Sequence, residues 1–277
     1  GGQDEAIKEL KKNILYPIKY PELKSGHNMN KSALLYGPPG TGKSLLAEAC
    51  ANESGAWYKK INASELESKY VGESEKNWRN LFKTARENQP AIIFIDEFDA
   101  VAKQRGGHDV YGDKTLNTVL GLMSDVEKNG DEIYMIAATN NRASLDNAVT
   151  RSGRFGVAIE VGAPDLKGTK QILGIHTKEQ PLDKDFKVDA VAERLYKERA
   201  TGADIASISE SARSNALERE HIYEKMENGT YTPNDMKNLT LKTEDFDKAI
   251  DNFVETKRSK SPTKPMNQIG YRSPMYE

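Results

Sequence analysis

The stretch that most limits what this chain can fold into is "GPPGTGKS", Gly37 to Ser44. It fits G-x-x-x-x-G-K-[ST] and stands between an apolar run, "SALLY", and a helix-like segment, "SLLAEACANES". That context, strand before and helix after, is the one a phosphate-binding loop requires. Its glycines let backbone N–H groups turn toward phosphate oxygens, and the helix that follows points its positive end at the same anion. Gly37, Pro38, Pro39, Gly40, Thr41, Gly42, Lys43, Ser44 and Leu45 are therefore expected to line a nucleotide site. Lys43 is placed to reach β- and γ-phosphates, and the Ser44 hydroxyl to ligate Mg²⁺. A Gly/Pro-rich turn with an incidental lysine is the competing reading, and the flanking strand and helix weigh against it.

A second element must hold the metal and activate water. In "AIIFIDEFDA" an apolar strand ends in Asp96 and Glu97, at the carboxyl edge where α/β sheets place ligands. Asp96 suits Mg²⁺ through water, and Glu97 is the candidate base for the attacking water. An acidic pair that merely caps a helix is the alternative. A third strand, "IYMIAATNN", ends in Thr139, Asn140 and Asn141. A carboxamide there could hold a γ-phosphate or the lytic water, or could simply close the strand.

The fold class follows from the alternation of patterns. From Lys31 to about Pro164, the runs "SALLY", "AWYKKIN", "AIIFID", "IYMIAAT" and "VAIEV" alternate with helical stretches, as in a parallel sheet sandwiched by helices. From Asp165 onward "TKQILGIHTK", "VDAVAERLYKE", "GADIASISESARSNALERE" and "TEDFDKAIDNFVE" show helical spacing alone, which predicts a small all-helical lid domain. The expected domains are residues 1–164, 165–256 and a basic tail over 257–277, a flexible or docking segment. Glu224 to Asn238 reads as a loop, and Thr243 as the cap of the last helix.

Bulk properties bound the rest. Lys+Arg 40 against Asp+Glu 42 gives a net charge of −2, which argues against a nucleic-acid partner. Cys50 is the sole cysteine, so a disulfide framework is excluded and a reducing compartment is expected. The longest apolar run falls far short of the ~20 residues that cross a bilayer, so no transmembrane segment is expected, and the cytoplasm or nucleus is the default location. The start, "GGQDEAIKEL", has no Met and reads as a cut inside a longer protein.

With these residues in view, the chain resembles the AAA family of P-loop ATPases, the AAA+ proteins with a second region of homology. The resemblance runs from "LKKNILYPIKYPEL" through "LLYGPPGTGKS", "SKYVGESEKNWRNLF", "IIFIDEFDAV" and "IAATNN…LDNAVTRSGRF" to "APD", "ILGIHTK", "TGADI" and "DFDKAI". It implies an AAA+ large domain followed by a helical lid, ATP and Mg²⁺ as cofactors, and a homo-oligomeric ring, usually a hexamer. Asn140 falls on the family's sensor-1 position. Arg151 and Arg154 in "RSGRF" fall on the arginine fingers, which reach in trans into a neighbour's site. A guanidinium on the γ-phosphate is typically worth about 10³–10⁵ in rate. Two ordinary surface ion pairs are the plain alternative. His176 falls near ribose and adenine, although a lone helix histidine is more often a packing residue. Gly202 and Ala203 fall on the Gly-Ala form of sensor 2, where backbone approaches the base.

"KYVG" falls on the family's pore loop. Tyr70 and Val71 would present an apolar wedge to an extended protein substrate, with Gly72 for the turn and Lys69 to attract acidic segments, whereas Tyr70 taken alone reads more readily as a buried aromatic. Asn141, Arg142, Ser152 and Gly156 depart from the family pattern at positions without a catalytic role. "SKYVGESEK" and "FVETKRSKSP" look most like the meiotic clade of katanin and spastin. The function implied is ATP hydrolysis coupled to remodelling of a protein threaded past pore loops. A nucleotide-gated scaffold and a nucleic-acid-directed motor are the alternatives, and the full hydrolytic set favours the first reading.

Overall fold

The computed structural model describes residues 2–24, 30–66, 72–103, 110–151 and 153–260. The chain opens with α1 (Asp4–Leu10), a π-helical turn over Lys11–Leu15 and a short α2 (Tyr16–Lys19). There follow β1 (Ser32–Tyr36), α3 (Lys43–Ser54), β2 (Trp57–Asn62), α4 (Glu73–Glu87), β3 (Ala91–Asp96), α5 (Val110–Asn129), β4 (Ile133–Thr139) and β5 (Val157–Glu160). Among the described residues the strands pair in parallel in the order β2-β3-β4-β1-β5, and all five are the apolar runs expected from sequence.

In β1, β3 and β4 these runs are continuous because both faces of the sheet are covered, whereas Lys59 and Lys60 of the edge strand β2 are exposed. Along β3, Ile93 and Ile95 point to a core built with Trp78 and Phe82 of α4 and Leu116 and Met123 of α5. Ile92 and Phe94 point the other way, to Leu10 of α1, Ile14, and Ala47 and Cys50 of α3. Successive residues thus feed opposite cores, and neither can become polar without burying an unpaired group. Asp96 is the first residue of the strand to leave the interior.

The remainder is helical: α6 (Leu166–Thr177), α7 (Val188–Lys197), α8 (Gly202–Arg219), α9 (Ile222–Glu227), α10 (Pro233–Lys237) and α11 (Thr243–Lys260). Its own core holds Leu173, Leu195, Ile205, Ile208, Phe246 and Ile250. Three expectations need correction here. The supposed loop from Glu224 to Asn238 contains the end of α9 and all of α10, joined by the Lys225–Asp235 ion pair at 2.8 Å. The last helix runs to Lys260, so residues 257–260 of the expected tail are helix; Lys257 Nζ donates to the Glu198 carbonyl at 2.7 Å. Thr243 does not cap α11: its hydroxyl accepts from the Lys187 N–H at 3.0 Å, and the Asp245 carboxylate takes the Lys242 N–H at 2.8 Å. Residues 261–277 lie outside the described residues.

Candidate nucleotide site

The loop between β1 and α3 is shaped by its glycines. Gly37 has φ of 147°, and a Cβ there would stand 2.2 Å from the Val161 carbonyl oxygen. Gly40 has φ of 76°, and a Cβ there would meet the Ala203 Cβ at 2.8 Å and the Thr201 Oγ1 at 2.9 Å. Each glycine is thus required twice, by its backbone conformation and by what packs on it. Thr41 Oγ1 donates to the Pro38 carbonyl at 3.0 Å, bracing the turn, while Leu45 is 71% exposed on the first turn of α3.

Lys43 is buried and fully engaged. Its Nζ donates to the carbonyls of Gly37 and Pro38 and to Asn140 Oδ1, each at 2.8 Å. Burial lowers its pKa, and the nearby Asp96 and Asp99 charges work against that shift. Ser44 Oγ donates to Asp96 Oδ2 at 2.8 Å, and Lys60 Nζ stands 3.6 Å from the same oxygen. Asp96 Oδ1 accepts the Glu97 N–H at 3.1 Å. Glu97 has φ of 51°, a conformation L residues seldom adopt, and its Oε2 accepts from Asn62 Nδ2 at 2.8 Å. Five residues read from sequence, Lys43, Ser44, Asp96, Glu97 and Asn140, therefore meet at the carboxyl edge of β1, β3 and β4.

The donor set fits a magnesium-bound nucleotide. The hydroxyl of Ser44 and the carboxylate of Asp96 are the hard oxygen ligands that Mg²⁺ selects. Among the described residues no group of three or more His, Cys, Asp or Glu side chains could hold a metal ion. The twelve-residue α3 starts after Gly42 without a side-chain cap, leaving first-turn N–H groups for an anion.

The helical part closes on this loop. The Ala203 N–H donates to the Gly40 carbonyl at 3.0 Å, which sets Gly202 and Ala203 against the phosphate loop. Ile172 Cδ1 lies 4.0 Å from the place of a Cβ on Gly202. His176, one turn beyond Ile172, is exposed and lines a cleft of about 640 Å³ with Gln180, Arg213 and Leu241; no phosphate-loop residue lines that cleft. Gly2 and Gly168 touch backbone to backbone, since a Cβ on Gly168 would stand 2.2 Å from the Gly2 Cα.

Arg151 and Arg154 are not brought to this loop. They line a separate polar cavity of about 530 Å³ with Asn117, Asp146 and Asn147, and Arg154 Nη1 donates to the Ala148 carbonyl at 2.8 Å. Gly72, with φ of 82°, starts α4; Lys69, Tyr70 and Val71 lie outside the described residues, as does Ser152. Sequence reasoning missed Asn62, Lys60 and Asp99. The register Asn62↔Asp96 between β2 and β3 is what puts Asn62 beside Glu97, and a polar residue ending a strand next to the Asp-Glu pair was the available signal.

Residues 33–163 match the family described as "ATPase family associated with various cellular activities (AAA)". Residues 33–163 belong to the AAA family of ATPases. The chain's AAA relatives include the Cell division cycle protein 48 homolog of Archaeoglobus fulgidus, 40% identical over 91% of this chain and 34% of that protein. The Proteasome-activating nucleotidase 2 of Haloferax volcanii is 42% identical over 76% of this chain and 52% of its own length. The Proteasome-activating nucleotidase of Methanocaldococcus jannaschii is 38% identical over 94% and 57%. The chain thus spans between about a third and three fifths of the length of these AAA relatives. None of the three carries a katanin or spastin name.

Proposed function

We propose that this AAA chain hydrolyses ATP with Mg²⁺ and uses the energy to remodel protein substrates as a ring of identical subunits. The observation that carries the proposal is the convergence of Lys43, Ser44, Asp96, Glu97 and Asn140, tied by the Lys43–Asn140 and Ser44–Asp96 hydrogen bonds. Lys43 neutralises the β- and γ-phosphates, and Ser44 and Asp96 hold the metal, which supplies charge neutralisation at the phosphates. Glu97 takes the proton of the attacking water, and Asn140 holds that water or the γ-phosphate. The phosphate loop, Leu45, Gly202 and Ala203 shape the nucleotide pocket; His176, one turn beyond Ile172 on α6, is the candidate for its sugar end.

Arg151 and Arg154 act on a neighbour's nucleotide, a role supported by their lying in a cavity apart from their own phosphate loop. The substrate is a polypeptide gripped by Lys69, Tyr70, Val71 and Gly72. Two units carry out this work, 1–164 and 165–256 with its helical continuation, each with a separate core. The cytoplasm or nucleus is the proposed location; among the described residues no helix is long and apolar enough to cross a membrane. The meiotic-clade resemblance rests on two segments, and the proposed activity does not depend on it. The test is ATP turnover per subunit as a function of protein concentration. Turnover must rise as subunits assemble, and Arg154→Ala must flatten the rise; turnover independent of concentration refutes fingers in trans.

A further inference from the structure

We infer that Asp99 is a positioning residue for Asn140, acting through the hydroxyl of Thr139. The inference rests on the proposal that Asn140 reads the γ-phosphate. Asp99 sits in the 3₁₀ turn Phe98–Ala100, directly after Glu97. Its Oδ1 accepts from Thr139 Oγ1 at 2.7 Å, and that same hydroxyl oxygen accepts the Asn141 N–H at 3.0 Å. Thr139 is 1% exposed, so its hydroxyl depends on protein partners, and Asp99 is where its proton points. The Thr139 carbonyl meanwhile accepts the Gly37 N–H at 3.3 Å.

One buried threonine thus joins three pieces of the site: the phosphate loop through Gly37, the turn carrying Glu97 through Asp99, and the turn carrying Asn140 through Asn141. Asn140 lies between Thr139, which carries that hydroxyl, and Asn141, which the hydroxyl holds, and its side chain in turn receives Lys43. Without Asp99 the Thr139 hydroxyl is free to rotate toward another acceptor. The Asn141 N–H then loses a fixed partner, and the exposed Asn140 side chain loses the frame that aims it. The connection also gives the turn of the base and the turn of the sensor a common anchor.

The experiment compares the parent chain with Asp99→Ala, Asp99→Asn and Thr139→Val. It measures kcat and KM for ATP, and the affinities for ADP and for a non-hydrolysable ATP analogue. Asp99→Ala is expected to lower kcat about 100-fold, the cost of misplacing a reacting group by about 1 Å. It should also lose the preference for the analogue over ADP while ADP affinity holds. Asp99→Asn should recover most of both, because its carbonyl oxygen accepts from Thr139 without carrying charge. Thr139→Val keeps Asp99 and should behave as Asp99→Ala, and it carries the test if the alanine variant does not fold. An asparagine variant as slow as the alanine variant, or an alanine variant with parental kcat and parental analogue preference, overturns the inference. A parent without ATP turnover refutes the hydrolysis reading instead, and the ratio of analogue to ADP affinity still decides the role of Asp99.

Discussion

Replacing Gly40 by alanine tests whether the helical domain is seated on the phosphate loop as the geometry indicates. A Cβ at this position would stand 2.8 Å from the Ala203 Cβ and 2.9 Å from the Thr201 Oγ1, and φ is 76°. The left-handed backbone costs a non-glycine residue about 1 kcal/mol. Relief of the collision must move the start of α8, which breaks the bond from the Ala203 N–H to the Gly40 carbonyl, worth about 1 kcal/mol more. With residual strain the total is roughly 2–3 kcal/mol, a fall in Tm of roughly 5–10 °C for a chain of this size. Gly55 supplies the control. Its φ is 70°, yet nothing lies within 4 Å of a Cβ there, so Gly55→Ala should cost the backbone term alone. Thermal unfolding of both variants, followed by circular dichroism, measures the difference. Equal Tm values for Gly40→Ala and Gly55→Ala would refute the contact between α8 and the loop.

Two further outcomes concern ionisable groups. Burial pushes the Cys50 thiol up to about 12, so at pH 8 only about one part in 10⁴ is thiolate. A maleimide or disulfide reagent should label the native chain only as fast as it unfolds, and rapid labelling of folded protein would contradict the burial of Cys50 against α1 and the sheet. The hydrogen bond from Lys225, with those from Thr232, holds the Asp235 carboxyl down to about 2. A depressed folded-state value means that the stabilisation is present above the ordinary carboxylate pKa and lost as pH falls through about 2. Carboxyl NMR should place its midpoint near 2, and Lys225→Met should raise it; an ordinary midpoint would remove the link between α9 and α10.

How much was legible follows from which residues carry redundant signals. The central strands were readable because runs such as Ala91–Ile95 are buried on both faces, so every position is apolar. The phosphate loop and the Asp96–Glu97 pair were readable because their chemistry restricts residue types at fixed spacing. The helix α10 was not, because none of its five residues is buried and a pattern of burial had nothing to record. The end of α11 was missed for the same reason: over residues 255–259 the side chains are exposed, and the Lys257 ammonium returns to the fold at the Glu198 carbonyl. Asn62, Asp99 and Lys60 are single polar residues without a motif. Their places come from strand register and from the turn after Glu97, which exist only once the sheet is assembled. The separation of Arg151 and Arg154 from the phosphate loop is likewise a property of the folded chain.

The central claim is that this site hydrolyses ATP with Glu97 as the base. Its most direct test is steady-state release of phosphate from ATP and Mg²⁺ by the parent chain and by Glu97→Gln, with ATP affinity measured alongside. Glutamine keeps the shape and can still accept from Asn62, but cannot take a proton. The account predicts parental ATP affinity with turnover lowered by about 10²–10⁴-fold, the usual contribution of a general base. Equal turnover in the two proteins, or none in either, would contradict it.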